Sequence, residues 1–271
     1  MELDAYIQRI NFVGTPKPDL KTLAQLQRQH CYNIPYSNLD VQLGRSLNTD
    51  IEKSYIKLVE QRQGGWCYEM NGLLGWMLEC IGFNVMRMSG GVRRDERGDS
   101  AIGNHLVLCV QLDEPWIVDA GLGDGPYEPY PLRPHTFSQR GFSYQLTRSE
   151  DYWRLYNYPG GSAPSFDFVH EPADEDQLSE KCQWLSTAAK SPFMSALVFQ
   201  RVVPGGYDLQ VGRVATKILP GGREEHLINS ADEFVQSISD RFGLVEPELE
   251  NLWEGVLEQH ELYLASKEKN Q

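Results

Sequence analysis

Apolar residues recur at helical spacing through the first third of the chain. Leu3 to Ile10 form one such stretch, Leu20 to Cys31 a second with Leu20, Leu23 and Leu26 on a face, and Ile51 to Gln61 a third. A fourth follows Cys67, where Leu73, Leu74, Met77, Leu78 and Ile81 keep the same period. Pro35 and the polar run Gly44 to Asn48 interrupt the pattern as loops, so the region up to about Ile81 reads as a helical bundle. From Asn84 to about Val211 the period changes to short runs rich in Val, Leu and aromatics: Val85 to Met88, His105 to Leu112, Trp116 to Ala120, Phe142 to Leu146, Trp153 to Tyr158 and Ala196 to Val203. Glycine and proline clusters at Gly121 to Pro134 and Pro159 to Pro164 punctuate them, which predicts an antiparallel sheet or barrel.

The acidic segment Glu171 to Glu180 predicts a surface turn leading into a helix over Gln177 to Ser186. Two further strands are expected near Tyr207 to Val211 and Arg213 to Ile218. The end is helical again, with Phe234, Ile238 and Phe242 on one stripe and Leu249, Leu252, Val256 and Leu257 on another. Without an internal repeat or a low-complexity linker, these parts are expected to pack closely.

Composition narrows the chemistry. Lys and Arg total 25 against 38 Asp plus Glu in 271 residues, a formal charge of −13, which argues against non-specific binding to nucleic acid or to an anionic membrane. No apolar run approaches the length of a membrane span, and the first residues lack a signal-peptide pattern, so a soluble cytoplasmic protein is expected. The five cysteines are odd in number and scattered, with no C-x-x-C pair. Neither a disulfide framework nor a structural zinc site is suggested.

One cysteine stands apart. Gly64-Gly65-Trp66-Cys67 sets it just past a glycine turn where an amphipathic helix begins, and the unpaired N–H groups and dipole of a first helical turn stabilise a thiolate. The alternative is a small apolar residue packing a helix end. A thiolate nucleophile needs a base, and the base needs a group to orient it. His105 opens one strand and Asp119 ends the next, and a hairpin turning at Asp113-Glu114-Pro115 makes them neighbours. The same three side chains could begin a metal site, but no fourth ligand stands out.

Three motifs carry a family resemblance. Gly64-Gly65-Trp66-Cys67-Tyr68-Glu69-Met70-Asn71-Gly72 resembles the R-G-G-x-C-x-x-x-N signature of the arylamine N-acetyltransferases. Asp119-Ala120-Gly121-Leu122-Gly123 is similar to their D-[VA]-G-F-G, and Ile34-Pro35-Tyr36-Ser37-Asn38-Leu39-Asp40 to their V-P-F-E-N-L. The resemblance implies an α+β fold. Residues 1–83 would form a helical bundle with the nucleophile, 84–195 a central antiparallel β-barrel with His and Asp, and 196–271 a C-terminal α/β lid, around a papain- or transglutaminase-like catalytic core. It implies that Cys67, His105 and Asp119 form a triad that takes an acetyl group from acetyl-CoA, with no metal, and passes it to an arylamine, arylhydrazine or N-hydroxyarylamine. Tyr36, Trp66, Val92 and Leu122 would line the acceptor site. Gly121 and Gly123 would let the backbone approach the acyl group and pantetheine arm. Relatives with the same triad include amide synthases, and a hydrolase is a further alternative.

The chain departs from the pattern in places. Leu122 replaces the family's phenylalanine, removing an aromatic face from the acceptor site. Gln63 and Ser37 replace an arginine and a glutamate, read as the joint loss of a facing ion pair. Resemblance is weakest after about Gly212.

Overall fold

The computed structural model describes residues 1–149 and 151–269. The N-terminal periodicity folds as α1 (Leu3–Arg9), α2 (Leu20–Asn33), α3 (Leu39–Gln42), α4 (Ile51–Tyr55) and α5 (Cys67–Ile81). Asp19 caps α2, its carboxylate accepting the Thr22 N–H at 2.8 Å. The buried face of α2 runs through Leu23, Leu26, Gln27, His30 and Cys31, whereas Leu20, expected on that face, is exposed at the first turn. The segment expected as one helix over Ile51 to Gln61 changes at Tyr55 into a π-turn over Ile56–Glu60. Helix α5 is buried on nearly every side because it packs on the other helices and on the main sheet.

A two-residue strand, β1 (Tyr36–Ser37), precedes α3. After α5 come β2 (Asn84–Val92), the short helix α6 (Arg94–Arg97), β3 (His105–Gln111), β4 (Pro115–Val118), β5 (Tyr130–Pro131), β6 (His135–Gln139), β7 (Phe142–Arg148), β8 (Trp153–Tyr156) and β9 (Ser165–Phe168). These eight strands form one antiparallel sheet in the order β5-β4-β3-β2-β9-β8-β7-β6. The expected barrel is therefore corrected to a curled half-barrel: β5 and β6 are its edges and share no backbone ladder. They meet through side chains instead, Tyr130 of β5 stacking on Phe137 of β6 at 5.0 Å, and Phe137 stacks in turn on its ladder partner Tyr144 at 5.3 Å. Aromatic packing bridges the gap without pairing the strands: the two residues of β5 are paired with β4 and form no ladder with β6.

The acidic segment is helix α7 (Glu175–Thr187), capped by Asp174, followed by the short α8 (Pro192–Ser195). A second sheet, β1-β10-β11-β12-β13, contains β10 (Val198–Val203), β11 (Gly206–Val211), β12 (Val214–Leu219) and β13 (Gly222–Leu227). Its inner face packs on α9 (Ala231–Phe242) and the start of α10 (Trp253–Lys269), where Leu197, Phe199, Phe234, Ile238 and Phe242 form a core of their own. The pairing Tyr36↔Gln200 ties this sheet to the segment before the nucleophile. The bridge Tyr36↔Gly65 continues the link to the glycine turn. Among the described residues no helix is long and apolar enough to cross a membrane.

Candidate active site

Cys67 is the first residue of α5, and Trp66 is its N-cap in extended conformation. The indole cannot accept a hydrogen bond, so the cap is made in one direction only: Glu69 accepts the Trp66 N–H at 3.2 Å. Glu69 is itself held by Lys57 Nζ at 2.8 Å, and the same ammonium lies 2.6 Å from Asp40. Burial raises the Glu69 pKa and Lys57 opposes that shift. The turn before Cys67 is thereby pinned by a mostly buried ion cluster.

The β3–β4 hairpin brings in the other two groups. Its register sets Leu108 opposite Val118, so Asp119 lies one residue beyond the ladder and reaches His105 diagonally. His105 Nε2 and Asp119 Oδ2 are 2.7 Å apart, which leaves Nδ1 as the ring nitrogen free of the carboxylate. Cys67, His105 and Asp119 are each at most 3% exposed. Burial opposes charge on the imidazole. The Asp119 carboxylate, its hydrogen bond, and a hydrogen bond with Cys67 overcome that penalty and raise the His105 pKa to about 10. The imidazole is thus held as a cation beside the sulfur, and Cys67 Sγ also lies 3.8 Å from the Asn104 carbonyl oxygen.

Asn71, one turn along α5 from Cys67, completes the cluster. Its Nδ2 donates to Asp119 Oδ1 at 2.7 Å and to the Leu106 carbonyl at 2.6 Å, and its Oδ1 accepts the Ala120 N–H at 2.8 Å. The Gly121 N–H donates to Asp119 Oδ1 at 2.8 Å. Asn71 belongs to the glycine–cysteine motif, but the motif by itself gives it no part in the triad. The available signal was its i+4 spacing from Cys67, which puts both on one helical face.

Beside the sulfur lies a cavity of about 230 Å³. Tyr36, Val92, Gly121 and Leu122, all expected near the substrate, line it together with Cys67 and His105. Trp66 does not: it is fully buried and packs edge-on at 5.5 Å behind Phe193, which takes the place on the wall. Gly121 is confined, since a Cβ there would sit 2.7 Å from the Cys67 Cα. Gly123 has φ +80° and lies under Gln200. The rest of the wall, including Arg93, Arg97, Ser162 and Gln200, comes from segments that sequence reading did not connect to the site. Ser37 and Gln63 do not bond to each other: the Ser37 hydroxyl accepts the Leu39 N–H at 3.0 Å, and the Gln63 amide donates to the Val245 carbonyl at 3.4 Å. Among the described residues no group of three or more His, Cys, Asp or Glu side chains could hold a metal ion.

Comparison with known proteins agrees with this geometry. A family model described as N-acetyltransferase matches residues 19–249. The arylamine N-acetyltransferase of Mycolicibacterium smegmatis is 34% identical over 255 residues, covering 90% of this chain and 92% of the relative. Among solved structures, Mycobacterium marinum arylamine N-acetyltransferase in complex with CoA superposes with a TM-score of 0.87 at 28% identity, covering 94% of this chain and 99% of that one. The Salmonella typhimurium arylamine N-acetyltransferase gives 0.84 at 26% identity, covering 94% and 97%. With a family model spanning most of its length and a relative this similar end to end, the chain belongs to the arylamine N-acetyltransferase family.

Proposed function

We propose that this protein transfers acetyl groups from acetyl-CoA to small arylamines, arylhydrazines or N-hydroxyarylamines by a ping-pong route through a Cys67 thioester. The observation that carries the reading is the His105–Asp119 contact of 2.7 Å, with the imidazole pKa raised to about 10, beside a cysteine at a helix start. An imidazolium stabilises the adjacent sulfur as a thiolate, which is the nucleophilic form. Cys67 attacks the thioester carbonyl of acetyl-CoA, and His105 gives its proton to the departing CoA sulfur. The amine then attacks the acetylated cysteine, the C–S bond breaks, and the proton from nitrogen passes to His105. Asp119 holds the ring in the tautomer that directs Nδ1 at the sulfur. The first-turn amides of α5, which have no intrahelical acceptor, are our candidates for receiving the oxyanion.

A cavity of about 230 Å³ is smaller than a typical drug-sized pocket of roughly 300–1,000 Å³. That favours a single-ring amine over the long carrier-bound chain of an amide synthase. Leu122 presents a branched aliphatic where an aromatic face would stack, so ring packing falls to Tyr36 and Phe193. The five cysteines are all free, in keeping with a reducing, cytoplasmic location. Mass spectrometry after incubation with acetyl-CoA tests the assignment. A single acetyl adduct, absent in Cys67→Ala and discharged by an arylamine, is the expected result. Absence of an adduct, with ester or peptide hydrolysis instead, would favour the hydrolase.

A further inference from the structure

Between β4 and β5 the chain leaves the sheet and forms the wall beside the sulfur. The ladder ends at Ile117↔Tyr130, and the loop beyond it carries Asp119, which contacts His105, and then Gly121 and Leu122, which line the reactive cavity. Gly121, Gly123 and Gly125 give this loop a backbone with little stiffness of its own, and Gly123 sits at φ +80°. Its shape is set by what it is tied to. Asn71 holds the near end through Asp119 and Ala120, while Ser162 and Tyr207 hold the far end through Asp124 and Gly125, Ser162 Oγ lying 3.1 Å from Gln200 Nε2. Among the described residues no backbone hydrogen bond joins the two ends.

One side chain does join them. Gln27, fully buried on α2, donates from Nε2 to the Asp119 carbonyl at 3.0 Å and to the Pro126 carbonyl at 3.2 Å. Carbonyl oxygens only accept, so the amide must turn its NH₂ to the loop and spend one hydrogen on each end. Among the described residues no other side chain bonds both. Leu122 is thereby held between two spaces: the cavity of about 230 Å³ with Cys67, and a hollow of about 10 Å³ walled by Cys31, Asp119, Gly123, Gly125 and Pro126, which includes neither Cys67 nor His105. The loop has no room to advance on the nucleophile, because at Gly121 even a Cβ would come within 2.7 Å of the Cys67 Cα. The space open to it is the hollow on its other side.

Resting on the acetyltransferase reading, we propose that Gln27 is a positioning residue that sets the size of the acceptor site: by stapling Asp119 to Pro126 it keeps Leu122 forward against the cavity and so excludes bulky arylamines. Gln27 is not part of the cavity wall and touches no substrate. Without the staple the glycine-rich segment settles toward the hollow behind it, Leu122 withdraws, and the cavity deepens. The triad keeps its own support, since Asp119 Oδ1 still receives Asn71 and the Gly121 N–H and Oδ2 still meets His105. Loading of Cys67 is therefore spared, and the change falls on which amine can unload it.

The two halves can be measured separately on the full chain. Acetyl adduct formation on Cys67 is followed by rapid-quench mass spectrometry, and kcat/KM is read from steady-state assays for a small amine, 4-methylaniline, and a bulky one, 4-cyclohexylaniline. Gln27→Met keeps the length of the side chain and removes both donors. It is expected to leave adduct formation within about threefold of the parent and to raise the ratio of kcat/KM for the bulky amine over the small one about tenfold. A general loosening of the protein would instead lower both amines and adduct formation together. That outcome, or a selectivity ratio equal to the parent's, would overturn the proposal while the acetyltransferase reading stands. If the parent protein forms no acetyl adduct, that reading falls and takes this proposal with it. Should Gln27→Met fail to fold, Gln27→Asn, whose amide is one methylene short of spanning both carbonyls, is expected to shift the ratio in the same direction, and an unshifted ratio in that variant also overturns it.

Discussion

Asn71 donates to Oδ1 of Asp119 at 2.7 Å, while His105 takes Oδ2 at the same distance. One asparagine on the nucleophile's own helix thereby sets the carboxylate that aligns the base, and it anchors the following strand end through the Ala120 N–H. The helix and the hairpin are locked together at the point where sulfur and imidazole must meet.

Replacing Asn71 with Ala removes one of the two donors to Asp119 Oδ1, leaving only the Gly121 N–H, and takes their side-chain partner from the buried Leu106 carbonyl and Ala120 amide. The expected cost is at least about 1–3 kcal/mol of stability. Misalignment of the triad should lower kcat by roughly 10- to 100-fold. Chemical denaturation and steady-state rates check both, and wild-type values for the variant would refute the positioning role.

Gly121→Ala would place a methyl 2.7 Å from the Cys67 Cα and 2.8 Å from Asn71 Nδ2. Overpacking of this kind costs about 1–3 kcal/mol. Because the strain falls on the nucleophile, the rate of adduct formation should drop by far more than the melting temperature suggests. Normal adduct formation would mean that the loop moves aside freely.

Lys57 serves both Asp40 and Glu69, so Lys57→Met leaves two carboxylates close together under the helix start. Unfolding free energy should fall by about 3 kcal/mol. Glu69→Gln should cost less, since Lys57 keeps Asp40 at 2.6 Å and the Gln side chain can still accept the Trp66 N–H. The order of the two denaturation midpoints decides it; equal midpoints would argue against a shared cation.

For pH dependence the sign follows from the His105 pKa, raised to about 10 in the folded protein against an ordinary value near 6.5. A raised histidine pKa means that the folded state binds the proton more tightly than the unfolded chain. Its stabilisation is therefore complete below about pH 6.5 and is lost as pH rises through about 10. The melting-temperature gap between the parent and His105→Gln should narrow across that window. A gap that widened with pH would contradict an imidazolium held by Asp119.

How much of this was legible in the sequence follows from how far apart the contributing residues lie. Local patterns placed the start of α5 at Cys67, the hairpin that ends beside Asp119, and the apolar faces of α2 (Leu20 excepted), α5 and α9, because helical period, turn chemistry and strand alternation are set by near neighbours. The motifs also point to Tyr36, Gly121 and Leu122, and the wider family resemblance to Val92, all of which line the cavity. Tertiary structure alone decided that the main sheet stays open, since closure depends on whether its two edges form a ladder, and the two residues of β5 pair with β4 and form none with β6. It alone put Phe193 in front of Trp66 and lodged Gln200 on the wall with Ser162 and Asp124 behind it. Those contacts join segments with no shared periodicity. Packing and buried hydrogen-bond direction select them, and neither is written in any single stretch of chain.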